Sequence, residues 1–137
     1  MIDRKTDRTG QRRQPAGHRQ QAERRGRGAE AFAALSLTLS GWRVVARRHR
    51  AHGGEVDLIA RRGDLVAMVE VKARRTVQKS VDSVSETAWR RIERAGDDWL
   101  MRRHDAARLS VRYDLVAVPT PLRPWRWPKR LAGAWAP

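Results

Sequence analysis

The chain has 137 residues, a length that builds one domain. Its 30 Lys and Arg against 15 Asp and Glu give a formal charge of +15. That excess favours polyanionic partners, nucleic acid first, although acidic lipid or ribosomal RNA would satisfy the same number. The absence of cysteine excludes disulfides and cysteine-ligated zinc, and no apolar run approaches the length of a membrane span.

Residues 1–27 are rich in Arg, Gln and Gly and hold almost no large apolar side chain. Such a segment buries too little surface to order itself, so a disordered basic arm is expected, either touching phosphates or simply solvated. Gly28 to Gly41 reads as an amphipathic helix. Phe32, Leu35 and Leu39 share a face at helical spacing, Glu30 falls in the first turn where the helix dipole favours a carboxylate, and Gly41 supplies the stop. Glu30, Ser36 and Thr38 interrupt the short apolar run here, and its basic lead is too long for a secretory signal; the reading is cytoplasmic. Trp42 to Arg48 has strand composition, with Val44 inward. His49 to Gly54 forms a loop, its two histidines lacking ligand-like partners at standard spacing.

Two strand-like runs follow, Glu55 to Ala60 and Leu65 to Lys72, joined by Arg61-Arg62-Gly63-Asp64. Gly63-Asp64 suits a two-residue type II′ turn, because glycine tolerates positive φ. That register sets Asp57 opposite Glu70 and Glu55 opposite Lys72. A turn at Arg62-Gly63 would set Glu55 against Glu70 instead. Either way the period of two gathers Glu55, Asp57, Glu70 and Lys72 on one face, with Val56, Leu58, Val69 and Val71 expected to be buried behind them. Opposed carboxylates repel unless a cation lies between them. Asp57 and Glu70 with open positions suit an oxygen-ligated Mg²⁺ or Mn²⁺, and Lys72 could activate a water or stabilise a phosphate under attack. The parts suit phosphodiester hydrolysis. Ordinary cross-strand ion pairs, Glu55 with Lys72 or Glu70 with an arginine, are the structural alternative. Arg47, Arg48 and Arg50 stand beside the carboxylate face as phosphate contacts, and Arg74 and Arg75 follow it.

Thr76 to Asp82 reads as a polar loop over the site. Ser83 with Glu86 fits a capping box for a second helix carrying Trp89, Ile92, Trp99 and Leu100 as an apolar stripe. Leu109 to Val118 is a final strand. Its Asp114 would be expensive to bury without a partner and is expected to find one, in a structural role. Residues 119–137 interleave prolines and cations with Trp125, Trp127 and Trp135. They could stack on single-stranded bases or fold back to cover the sheet, and cover is the favoured reading.

The spacing Asp-x12-Glu-x-Lys resembles the PD-(D/E)XK nucleases, the restriction-endonuclease-like superfamily. The fuller string GEVDLIA…VEVKAR resembles one branch of it, the YraN-like bacterial proteins, over roughly residues 26 to 118, and is similar to the archaeal Holliday-junction resolvases. This resemblance implies an α/β fold with a small mixed β-sheet flanked by helices around a restriction-endonuclease-like core. The nuclease-like α/β domain spans residues 28–118, between the basic arm and a Pro/Trp-rich tail. The resemblance implies a metal-dependent endonuclease acting on DNA, with branched or repair intermediates as substrates. Asp57, Glu70 and Lys72 would be catalytic, Asp57 and Glu70 would hold Mg²⁺ or Mn²⁺, and Glu30, matching the family's Gly-x-Glu position, would assist. Glu55 is either an accessory acid or the partner of Lys72, and Arg74 matches the family's arginine after the EVK string. Junction enzymes often work as homodimers, although no interface is legible here beyond the tryptophans. Ala88 stands where the family usually has a lysine, which puts that lysine's contribution in doubt. A catalytically silent nucleic-acid-binding protein and an RNA- or ribosome-associated basic factor are the alternatives.

Overall fold

The computed structural model describes residues 16–137, with side chains from residue 26 onward. Helix α1 (Ala16–Leu39) is followed by three antiparallel strands, β1 (Arg43–Ala51), β2 (Gly54–Arg62) and β3 (Leu65–Arg74). Two helices, α2 (Val77–Asp82) and α3 (Glu86–Met101), cross over to β4 (Ser110–Pro119), which lies parallel to β3. Strand β5 (Lys129–Trp135) closes the sheet antiparallel to β4, giving the order β1-β2-β3-β4-β5. This is the expected α/β fold, a small mixed sheet flanked by helices.

The two faces bury separate cores. Ala29, Ala33, Ala34 and Leu37 of α1 cover Leu58, Ala60, Ala67, Val69, Val116 and Val118. On the other face Trp89, Ile92, Ala95 and Trp99 of α3 cover Val56, Ile59, Val66, Met68 and Leu115. Each fully buried branched side chain contributes roughly 1.5–3 kcal/mol, so the strands are held by their neighbours more than by propensity. Gly54 permits the close approach of α3. A Cβ there would overlap the Arg91 carbonyl and lie 3.4 Å from Ala95 Cβ.

Four local expectations change. Helix α1 reaches back to Ala16, twelve residues before Gly28, because 16–27 is built of helix-favouring Ala, Arg, Gln and Glu; the first fifteen residues of the expected basic arm lie outside the described residues. The buried face of α1 is its small-residue face. Leu35 and Leu39 are 48% and 68% exposed, since alanines let the helix lie closer to the sheet than leucines would. The polar stretch after β3 is no loop but α2, whose N-cap Thr76 accepts from Lys79 N–H. The cap of α3 is Ser85, accepting from Ala88 N–H, while Ser83 closes α2.

Other expectations hold. Gly41, at φ 90, ends α1 with the Trp42 N–H on the Leu37 carbonyl at 3.0 Å. Gly63, at φ 60, makes the first corner of the hairpin, so Arg62 pairs with Leu65 in the register of a Gly63-Asp64 turn. Fully buried Asp114 finds its partners. Arg112 donates to both its oxygens at 2.8 Å, the Gly133 N–H donates at 3.0 Å, and Arg130 lies at 3.6 Å. The tail covers the sheet edge as a full strand, β5, with Trp135 stacked on Trp89 at 6.3 Å. No helix among the described residues is long and apolar enough to cross a membrane.

Candidate active site

The sheet forks. The β2–β3 ladder runs from Arg62↔Leu65 to Leu58↔Val69 and stops. Beyond that point β2 stays with β1 as far as Ala51↔Gly54, and β3 stays with β4 as far as Arg74↔Pro119. The edge of β3 from Glu70 onward therefore lacks a strand partner on one side, and a buried N–H there needs an acceptor. Asp57 supplies it. Its Oδ2 accepts the Val71 N–H at 2.8 Å, so a side chain replaces the missing backbone pair and is fixed in the fork. The flanking residues divide there: Val56 packs on the α3 side and Leu58 on the α1 side. The strict alternation expected of β2 thus fails at Asp57, where the strands part.

A cleft of about 970 Å³ opens at this fork. Glu30 and Ala29 line it from α1, Asp57 from β2, Glu70 to Arg74 from β3, and Thr120 to Arg123 from the segment after β4. Asp57 and Glu70 line the same cleft, and Lys72 Nζ lies 3.1 Å from Glu70 Oε1. Burial, then the charge of Glu70, push the Asp57 carboxyl up to about 8. Burial also raises Glu70, against the opposing pull of Lys72. The pair is short of positive charge, and one carboxyl keeps a proton where both would ionise in water.

Glu30 reaches the same cleft but is engaged. Arg48 Nε donates to its Oε2 at 2.8 Å. Arg48 stands in β1 at φ 49, a left-handed conformation unfavourable for a non-glycine residue. The Glu30 bond, then its charge, hold that guanidinium above its ordinary value, with Glu55 and Asp57 adding to the effect. Among the described residues no three acidic or histidine side chains are gathered as a ready metal cage. Glu55 pairs with Arg50 at 3.4 Å and not with Lys72.

The remaining candidates divide. Arg74 is exposed and lines the cleft, while Arg47 and Arg75 are exposed outside its lining. His49 belongs to β1 and meets Asp98 of α3 at 2.9 Å, holding that carboxyl below its usual range. Ala88 is not among the residues that line the cleft. Sequence reasoning missed Thr120 to Arg123 as a cleft wall. The one signal was Arg123 itself, a cation beside tryptophans in a segment read as cover.

A forked five-stranded sheet with two carboxylates and a lysine in the fork defines an α/β protein with a small mixed sheet flanked by helices. Residues 29–118 match the model described as "Uncharacterised protein family UPF0102", the YraN-like family, and the chain belongs to that family. It is 52% identical over 120 residues to a UPF0102 protein of Mesorhizobium japonicum, covering 88% of this chain and 93% of the relative. A UPF0102 protein of Rhizobium meliloti is 54% identical over 88% of this chain and 95% of its own. One from Sinorhizobium medicae is 55% identical over 82% and 89%.

Proposed function

We propose that the fork is the active site of a divalent-metal-dependent nuclease acting on DNA phosphodiesters, within the restriction-endonuclease-like superfamily that the Asp57, Glu70 and Lys72 motif resembles. One observation carries the reading: Asp57, Glu70 and Lys72 line one cleft at the fork, with Asp57 fixed by the Val71 N–H at 2.8 Å and Lys72 Nζ 3.1 Å from Glu70 Oε1. Two carboxylates with open positions beside them fit a hard, oxygen-seeking Mg²⁺ or Mn²⁺. When bound, such an ion supplies charge to stabilise the attacked phosphate. The chain's own residues do the rest. Val71 N–H fixes Asp57. Lys72, beside Glu70, presents an ammonium that orients a water or stabilises the charge developing on the phosphate. Arg74 and Arg123 at the rim take neighbouring phosphates. The excess of cations favours a polyanionic substrate. Branched or repair intermediates are the substrates the superfamily resemblance suggests, and a homodimer is the assembly that junction enzymes often take.

A second reading has an observation in its favour. Glu30 is held by Arg48 and no third ligand is gathered among the described residues, which suits a protein that keeps the cleft and charge but binds nucleic acid without cutting it. The test separates them. Labelled single-stranded, duplex and four-way-junction DNA is incubated with Mg²⁺, Mn²⁺ or EDTA, with wild type beside Asp57→Ala and Lys72→Ala. We expect cutting only with metal, and a loss in each variant of about 10²- to 10³-fold or more, the scale of removing one charge-stabilising group. Folding and DNA binding stay intact. Tight binding with no cutting on any DNA would leave the silent binding protein as the account, and RNA as the next substrate to try.

A further inference from the structure

The segment between β4 and β5 carries an indole, Trp125, that the cleft chemistry leaves unexplained, two residues from Arg123 of the cleft lining. Arg123 to Arg126 is a hydrogen-bonded turn, the Arg126 N–H donating to the Arg123 carbonyl at 3.0 Å. Pro124 fixes φ at its second position. The turn is anchored on both sides. Before it, Leu122 packs on the α1-side core and the Thr120 N–H donates to the Arg74 carbonyl at 3.0 Å. After it, Trp127 meets Phe32 edge-on with centroids 5.3 Å apart, and the Arg126 guanidinium donates back to the Thr120 carbonyl at 2.8 Å.

Between these anchors Trp125 is 77% exposed. The other tryptophans are committed: Trp42, Trp89 and Trp99 are buried, Trp135 stacks on Trp89, and Trp127 has Phe32. An indole held in water on an ordered turn forgoes the burial that Trp42, Trp89 and Trp99 achieve, and unlike Trp127, itself 46% exposed, it has no aromatic partner among the described residues. Its neighbours say what it is for. Arg123, two residues before it, lines the cleft with Asp57, Glu70 and Lys72. Arg123 uses Nη1 on the Leu122 carbonyl at 3.0 Å, which leaves donors free for an anion. An exposed aromatic two residues from a cleft-lining arginine complements a base and its adjoining phosphate.

We propose that this turn is the base-binding rim of the cleft: Trp125 stacks on an unpaired base while Arg123 holds a phosphate beside it. The ligand is nucleic acid with a single-stranded stretch, since bases inside a duplex already stack on each other and offer no free face. The inference rests on the nuclease reading of the cleft and names the substrate form that the cleft would receive. The turn lies beyond residues 29–118, which the family model matches, whereas Asp57, Glu70 and Lys72 lie within them.

The test is anisotropy binding of a labelled short single strand and of a blunt duplex of the same sequence. Both are measured in EDTA, so that nothing is cut, with wild type, Trp125→Ala and Trp125→Phe. Loss of one base stack predicts single-strand binding weakened about 5- to 150-fold in Trp125→Ala. Duplex binding should change by less than about twofold, and Trp125→Phe should keep most of the affinity. Equal weakening on both forms, or unchanged single-strand binding, overturns the rim. The two proposals fail separately. Cutting that Asp57→Ala abolishes, with normal single-strand binding by Trp125→Ala, removes the rim alone. A Trp125-dependent single-strand preference in a protein that never cuts keeps the rim and removes the hydrolytic reading.

Discussion

A carboxyl buried beside a second carboxyl keeps its proton to higher pH than one in water, and Asp57 does so up to about 8. The folded protein therefore binds a proton that the unfolded chain, with an ordinary aspartate near 3.8, has already released. Stability from this group is full below about 4 and is lost as pH rises through about 8. Glu70, raised as well, slopes the same way. Metal-free protein should lose thermal stability between pH 5 and pH 8, and Asp57→Asn should flatten that loss; an unchanged slope in the variant would assign it elsewhere. On the proposed nuclease reading, Mg²⁺ would compete with the same proton. It should raise the melting temperature at pH 8 and do little at pH 5, measured by scanning calorimetry with and without the ion. Residue type and spacing were enough to single out Asp57, Glu70 and Lys72, because hydrogen-bonding geometry forces a hairpin into one of two registers. Arg48 was legible only as a cation. Its pairing with Glu30 joins residues 18 apart in sequence, across α1 and β1, and no local pattern encodes that meeting.

At the scale of elements, the fork depends on strands that part at Asp57 and on β4 and β5 staying together on the far side. Asp114 is the tie between those two strands. It is fully buried, with Arg112 on both oxygens, Arg130 nearby and the Gly133 N–H of β5 on Oδ1. Removing one partner of such a pair leaves charge unpaired, which is strongly destabilising. Asp114→Ala should cost about 3 kcal/mol in urea denaturation and should expose β5 to protease before the rest of the sheet. Simultaneous global unfolding would show that β5 has no separate stability. Strand β5 itself was hidden in the sequence. Lys129 to Trp135 has a glycine and three alanines or leucines where a strand usually shows β-branched residues, so its pairing comes from the β4 edge it completes. Helix α2 was hidden for the related reason that its short, mostly polar run carries no apolar period; a single cap and the burial of Ser80 hold it.

Across the whole molecule, +15 of formal charge is a long-range field that acts before any contact forms. Nucleic-acid binding should weaken steeply with salt, log K falling linearly with log salt at about 0.7 per neutralised phosphate on a single strand. Arg123→Gln should reduce that slope by about 0.7. A slope that does not change would place Arg123 outside the contact. The same titration with Mg²⁺ present tests the proposed cleft against the field, because salt screens the field while an ion ligated by Asp57 and Glu70 would be held directly.

The amino-acid sequence by itself determined the α/β class, the hairpin with its glycine turn, the strand that carries Asp114, and the clustering of Asp57, Glu70 and Lys72. These are set by short-range rules: period two along a strand, positive φ at glycine, and repulsion between facing carboxylates. The tertiary structure alone decided where β2 and β3 separate, that Arg48 claims Glu30, that alanines form the buried face of α1, and that the tail becomes β5 and brings Arg123 to the cleft. Each of those rests on contacts between segments far apart in the chain. Such contacts are fixed by the burial and hydrogen bonding available in the assembled sheet, which no single segment encodes.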